Sequence, residues 1–159
     1  MSIEKVRDYF RPLGREGDIL EFPVSSATVE LAAQAVGVIP ARIAKTLSFL
    51  VEEHCVLIAA AGDAKIDNSK YKAFFHTKAK MLTPEQVSAF TGHAIGGVCP
   101  FANPEGVKTY LDMSLKRFDT VFPAAGSGSS AIELTCGELE EYSHSLGWID
   151  VCKSWQENP

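Results

Sequence analysis

Two neighbouring segments decide most of what this chain can fold into. The first, "AKTLSFLV", alternates as a strand does, with Leu47, Phe49 and Val51 on one face. The second, "CVLIAAA" from Cys55 to Ala61, is apolar at every position. A strand that is apolar on both faces must be covered on both faces. Helices alternating with the strands supply such cover in an α/β arrangement.

The rest of the chain provides those helices. Ile3, Val6, Phe10 and Leu13 recur at helical spacing and Gly14 ends them. A short strand follows at Ile19 to Phe22. Ser25 or Ser26 is then expected to cap a second helix, whose Val29, Ala32, Ala33 and Val36 form one apolar stripe up to Gly37. A third helix is expected from about Asp67 to Phe75, and a short strand near Lys80 to Leu82. "TPEQ", Thr83 to Gln86, is a capping box with proline at the first helical position, and Gly92 closes that helix. Strands are expected at Val107 to Asp112, Thr120 to Pro123 and Ala131 to Thr135. "TCGE" is a second capping box, opening a helix with Leu139, Tyr142 and Leu146 that Gly147 stops. A last strand near Trp148 to Val151 precedes a tail expected to fray beyond Lys153. The sum is a single α/β domain over residues 1–159 with a mixed sheet, its helices too irregularly placed for a doubly wound pattern.

At 159 residues and 46% hydrophobic, the chain can bury a core without disulfides or metal. Cys55, Cys99, Cys136 and Cys152 are scattered, with no Cys-x-x-Cys pair, which fits free thiols in a reducing compartment. His54, His76, His93 and His144 are equally dispersed, and no ligand spacing points to a metal or to a cofactor. No apolar run reaches the length of a membrane span, and the charged start "MSIEKVRDYF" is unlike a signal peptide, so a cytoplasmic protein is expected. The net charge of -5 speaks against a nucleic-acid partner, but its distribution does not. Between Gly62 and Lys80 five lysines (Lys65, Lys70, Lys72, Lys78, Lys80) face two aspartates. Such a patch is either a solvated helix face or a phosphate-binding surface.

Three features carry candidate chemistry. Lys45 shares strand parity with Leu47, Phe49 and Val51, so it either snorkels out at the end of the sheet or reaches into a pocket to meet an anion. "GGVCP", Gly96 to Pro100, is either a tight connection or a row of main-chain N–H groups for an oxyanion. Its Cys99 is a nucleophile only with a base and a lowered pKa, His93 being the nearest candidate. "AAGSGSS", Ala124 to Ser130, lines a pocket or is a plain loop, and lacks the lysine and glycine spacing of a P-loop.

Together "SATVELAAQAVGVIPARIAKTLSF", "TGHAIGGVCPF", "YLDMSL" and "AAGS…AIEL" resemble, in order and spacing, the YbaK/EbsC family, the editing domains associated with prolyl-tRNA synthetase. The resemblance runs from about Phe22 to the last helix. It implies a mixed, curved sheet surrounded by helices, and a free-standing deacylase that hydrolyses the ester of a mischarged tRNA, tRNA(Pro) foremost, with no cofactor. Lys45 falls on the family's lysine, placed to engage the substrate's 3′ end. Gly96, Gly97 and Pro100 fall on its Gly-x-x-x-Pro loop, with Val98 and Cys99 inside it. Thr28 and Phe22 fall at pocket positions, and Asp112, Ala125, Gly126 and Ser127 lie in the other shared segments. The implied partners are the acceptor end of tRNA, guided by Lys65, Lys70, Lys72, Lys78 and Lys80, and an aminoacyl-tRNA synthetase, with neither DNA nor membrane. The alternatives are a non-catalytic tRNA- or synthetase-binding module and a thiol hydrolase acting through Cys99. The edited amino acid is not legible: the position before the loop proline is cysteine here and serine in other members.

Overall fold

The structure, a computed structural model, describes residues 2–93 and 97–155. In chain order it contains α1 (Ser2–Phe10), β1 (Ile19–Glu21), α2 (Val29–Val36), β2 (Ile43–Val51), β3 (His54–Ala61), β4 (Lys65–Ile66), α3 (Asn68–Phe75) and α4 (Pro84–Thr91). There follow β5 (Lys108–Asp112), β6 (Thr120–Pro123), β7 (Ser130–Ile132), β8 (Leu134–Thr135), α5 (Cys136–Tyr142), β9 (Trp148–Ile149) and β10 (Cys152–Lys153). Six strands form the main mixed sheet, in the order β8-β6-β2-β3-β5-β9. Two antiparallel pairs, β1 with β7 and β4 with β10, form two further two-stranded sheets.

The β2–β3 hairpin is the spine, with eight residue pairs from Ala44↔Ala61 to Val51↔His54. Its two-residue turn, Glu52 and Glu53, takes positive φ at both positions (50° and 67°), as the twist of a tight hairpin demands. β3 is covered on both faces, as its apolar run requires. Cys55 and Leu57 pack on Leu82 and Val87, at the start of α4. Val56 and Ile58 join the main core, where the Phe49 and Tyr71 rings meet at 5.0 Å. α2 closes the start of β2 through Ala32 and Ala33 against Ile43 and Phe122.

Several boundaries differ from expectation. Thr28, not Ser25 or Ser26, caps α2: its side chain accepts from the Leu31 N–H at 3.2 Å. The serines instead sit in a strap pinned to the 128–130 segment, where the Ser26 N–H donates to Gly128 O at 2.7 Å. α5 ends at Tyr142 with Ser143 as its cap, so Leu146 and Gly147 lie beyond it. Glu133 separates the expected strand at 131–135 into β7 and β8, which pair with different partners. The expected strand at 80–82 is a single bridge, Phe49↔Met81. Of the tail expected to fray, Ser154 and Trp155 are described and residues 156–159 lie outside the described residues.

Candidate active site

The sheet opens beside Lys45. β2 and β6 run parallel for two pairs only, Ile43↔Phe122 and Ala44↔Pro123. Ala124 then turns away to bridge Ala131. The gap is a hollow of about 210 Å³. The head of α2 (Ser26 to Val29, with Ala32) forms one wall and Ile43 to Thr46 the other. Phe122, Ala124, Ser130 and Ala131 lie below, and Val98 of the glycine loop closes one side. Further along β2, Ser48 O accepts from Leu82 N–H and Leu50 N–H donates to Lys80 O, both on the side away from β3. By alternation Thr46 turns its main-chain N–H and C=O to that same side, toward the hollow.

Lys45 is fixed at the rim. Its Nζ donates to Gly62 O at 3.3 Å and to Ala64 O, across the turn that follows β3. These carbonyls hold the ammonium without neutralising it, and among the described residues no carboxylate lies within ion-pair distance of it. Burial lowers its pKa below that of free lysine, with nearby Cys152 and Asp63 opposing the shift. The turn is held against α2 by Gly62. A Cβ there would stand 2.1 Å from Pro40 O and 2.6 Å from Val29 Cγ1. Sequence reasoning missed Gly62; its local signal was a glycine directly ending the long apolar run, which marks a turn as readily as a close approach of backbone.

Gly96 lies outside the described residues. Gly97 is buried against Gly126 and Ser127, behind the hollow. Ser127 Oγ donates to Ser130 Oγ at 2.8 Å, and the Phe22 N–H donates to Ser129 O at 2.8 Å. Thr28, Lys45 and Val98 line the hollow, whereas Phe22, Ala125, Gly126 and Ser127 are not among its lining residues. Pro100 borders a different groove, with Tyr9, Asn103 and His144. Asp112 is buried elsewhere, accepting from Ser114 N–H (2.9 Å) and Val151 N–H (3.0 Å). Ser114 Oγ in turn accepts from Ala61 N–H, so this carboxylate braces the end of β3.

Cys99 and His93 are both buried, with Sγ 3.6 Å from Nε2. They do not make a nucleophile and base. His93 Nε2 is 2.8 Å from Phe101 O, an acceptor only, so Nε2 carries the proton and cannot take one from the thiol. Burial lowers the His93 pKa and pushes the Cys99 thiol up to about 12. Among the described residues no group of three or more His, Cys, Asp or Glu could hold a metal ion, and no helix is long and apolar enough to cross a membrane.

The five lysines separate. Lys70 is tied to Asp150 (3.0 Å) and Cys152 O (3.1 Å). Lys65 and Lys80 are exposed on β4 and beside β2, and Lys72 and Lys78 border one surface hollow.

A lysine at the rim of a small hollow, with Val98 of the glycine loop on one side, makes this hollow the chain's candidate site. Residues 24–142 match the family described as "Aminoacyl-tRNA editing domain", and the chain belongs to it. It is 57% identical to the uncharacterized protein YwhH of Bacillus subtilis, over 98% of this chain and all of that one. It is 28% identical to EbsC of Enterococcus faecalis, over 67% of this chain and 66% of that protein, whose name assigns it provisionally to deacylation of Cys-tRNA(Pro) and Cys-tRNA(Cys). A solved structure described provisionally as a trans-editing enzyme for prolyl-tRNA synthetase superposes with a TM-score of 0.85 at 29% identity, covering 96% of this chain and 97% of that one.

Proposed function

We propose that this chain is a trans-editing deacylase that hydrolyses the ester between a small amino acid and a mischarged tRNA, tRNA(Pro) foremost. The observation that carries the reading is Lys45, held by two carbonyls at the rim of a hollow of about 210 Å³ that Val98 of the glycine loop closes. That volume is small beside the ~300–1,000 Å³ of sites for drug-sized ligands, so it suits an aminoacyl group with the nucleotide outside. An ammonium has three protons. Two are used on Gly62 and Ala64, and the third is directed to the substrate's 3′ end. Water adds to the ester carbonyl carbon, main-chain N–H groups of the loop share the developing negative charge, and the bond to the ribose oxygen breaks as that oxygen takes the proton the attacking water gives up. An aminoacyl ester is already activated, so positioning and charge stabilisation supply most of the rate. Neither Cys99 nor His93 enters the step.

The test is a deacylation screen over a panel of mischarged tRNAs with wild type and Lys45→Ala. Release of at least one amino acid by wild type, reduced in the variant, supports the reading. Rates no higher than buffer across a complete panel overturn it in favour of a binding module.

A further inference from the structure

We propose that the hollow between α3 and the 78–80 segment is the seat of an RNA backbone phosphate, held by Lys72 and Lys78 and not by the neighbouring Lys70. The inference rests on the reading of this chain as a tRNA deacylase and assigns where the body of the RNA lies. The hollow, of about 380 Å³, is bordered by Asn68, Ser69, Lys72, Lys78 and Ala79. Asn68 and Lys72 are one helical turn apart and share a face of α3. The hollow's border thus includes two lysines from separate segments, an asparagine and a serine, residue types whose side chains donate to phosphate oxygens.

Two acids of the neighbourhood are paired with other cations, and the third, Asp67, keeps its charge while it caps the helix. Asp63 is paired with Arg117 at 2.6 Å, and Asp150 with Lys70 at 3.0 Å. Asp67 caps α3, accepting from the Ser69 and Lys70 N–H groups at 2.9 and 3.0 Å. Because Asp67 occupies those N–H groups, the hollow works through its side chains and not through the helix terminus. Lys72 and Lys78 form no ion pair among the described residues.

Both walls are tied to the strand that carries Lys45. The Tyr71 ring of α3 packs on Phe49, and Leu50 N–H donates to Lys80 O at 2.9 Å. Phe49 shares the strand parity of Lys45, four residues and roughly 13 Å along β2. A second chain reaches the same place: Lys45 Nζ touches Ala64 O, and four residues lead from there to Asn68, at most about 14 Å. A tRNA end entering at Lys45 thus passes within reach of the hollow.

The experiment measures binding of uncharged tRNA(Pro) as a function of salt, independent of hydrolysis, for wild type, Lys72→Gln/Lys78→Gln and Lys70→Gln. Each phosphate contact contributes ~0.9 to the slope of log K against log salt on a duplex and ~0.7 on a single strand. The double variant should bind more weakly at low salt, with a slope reduced by about one unit, since one phosphate seat is lost. Lys70→Gln should leave the slope unchanged. A double variant with the wild-type slope, a Lys70→Gln slope reduced as far, or a wild type that does not bind tRNA overturns the assignment. Salt-dependent binding lost in the double variant, beside an absence of hydrolysis on every charged tRNA, would keep the phosphate seat and sink only the deacylase.

Discussion

Gly97 and Gly126 lie back to back: a Cβ added at Gly97 would stand 2.6 Å from the carbonyl oxygen of Gly126 and 2.9 Å from Ser127 Cα. Two loops far apart in sequence meet there main chain to main chain. The contact fixes the loop that brings Val98 to the hollow.

Gly97→Ala should therefore displace that loop, because the obstacle is backbone and not a side chain that can swing aside. A shift near 1 Å at a reacting geometry costs about 100-fold in rate. The control is Gly106→Ala, where a Cβ meets nothing within 4 Å. That change should stay within about twofold of wild type. Single-turnover deacylation of both variants, with circular dichroism to confirm folding, checks the pair. Equal rates would remove the loop from the reaction.

Lys45→Ala should lower deacylation about 30- to 150-fold, the equivalent of about 2–3 kcal/mol for one charge-assisted contact in a sheltered site. The charged form is the useful one, and burial moves its loss to lower pH than in free lysine. Wild-type single-turnover rates should then decline on the alkaline side, below the ordinary lysine range, after correction for uncatalysed ester hydrolysis. In Lys45→Ala that decline should vanish. An unchanged alkaline limb in the variant would assign it to another group.

The β2–β3 pair and the caps of α4 and α5 were legible because each rests on a local rule. The apolar run of β3 needs two covers, and both capping boxes form as read, with Thr83 on α4 and Thr135 on α5. Lys45 was legible as an ambiguity: its parity placed it inward, and only the Gly62–Ala64 turn decides what it meets there. What stayed hidden depends on contacts distant in sequence. Nothing local tells that Gly126 backs Gly97, that Gly62 must admit Pro40, or that Asp150 ties down Lys70 and not Lys72. The cap of α2 was misplaced because Ser25, Ser26 and Thr28 are all competent caps. The strap pairing with Gly128 and Ser129 settles which one opens the helix.

His93 predicts an acid limb in stability. Its folded pKa lies below the ordinary histidine value, with desolvation as the largest cause. The unfolded chain therefore binds a proton, near pH ~6.5, before the folded chain does. Stability is full above that pH and falls as the pH drops toward the folded pKa, by up to about 1.4 kcal/mol per pH unit. The other histidines, His54, His76 and His144, are exposed. Urea unfolding at pH 7 and pH 5 should show the loss in wild type and a smaller one in His93→Gln. Identical losses would place the titration elsewhere.

Cys99 separates an ester hydrolase from a thiol enzyme. Its side chain is buried, its thiol is pushed up to about 12, and its Sγ lies 3.7 Å from Phe101 O. A serine there is close in volume, but its shorter C–O bond leaves the hydroxyl beyond hydrogen-bond distance of that carbonyl, so Cys99→Ser costs stability and not chemistry. Its deacylation rate should stay close to wild type. In the folded protein iodoacetamide should leave Cys99 unmodified, and Cys136, the one cysteine that is not buried, should react first. Full modification should need denaturant, because a thiol held neutral and inaccessible offers no thiolate. Peptide mapping after brief labelling, beside single-turnover rates, reads both effects. A dead Cys99→Ser beside a fully active Lys45→Ala, with Cys99 labelled first, would turn the assignment round and make the thiol the nucleophile.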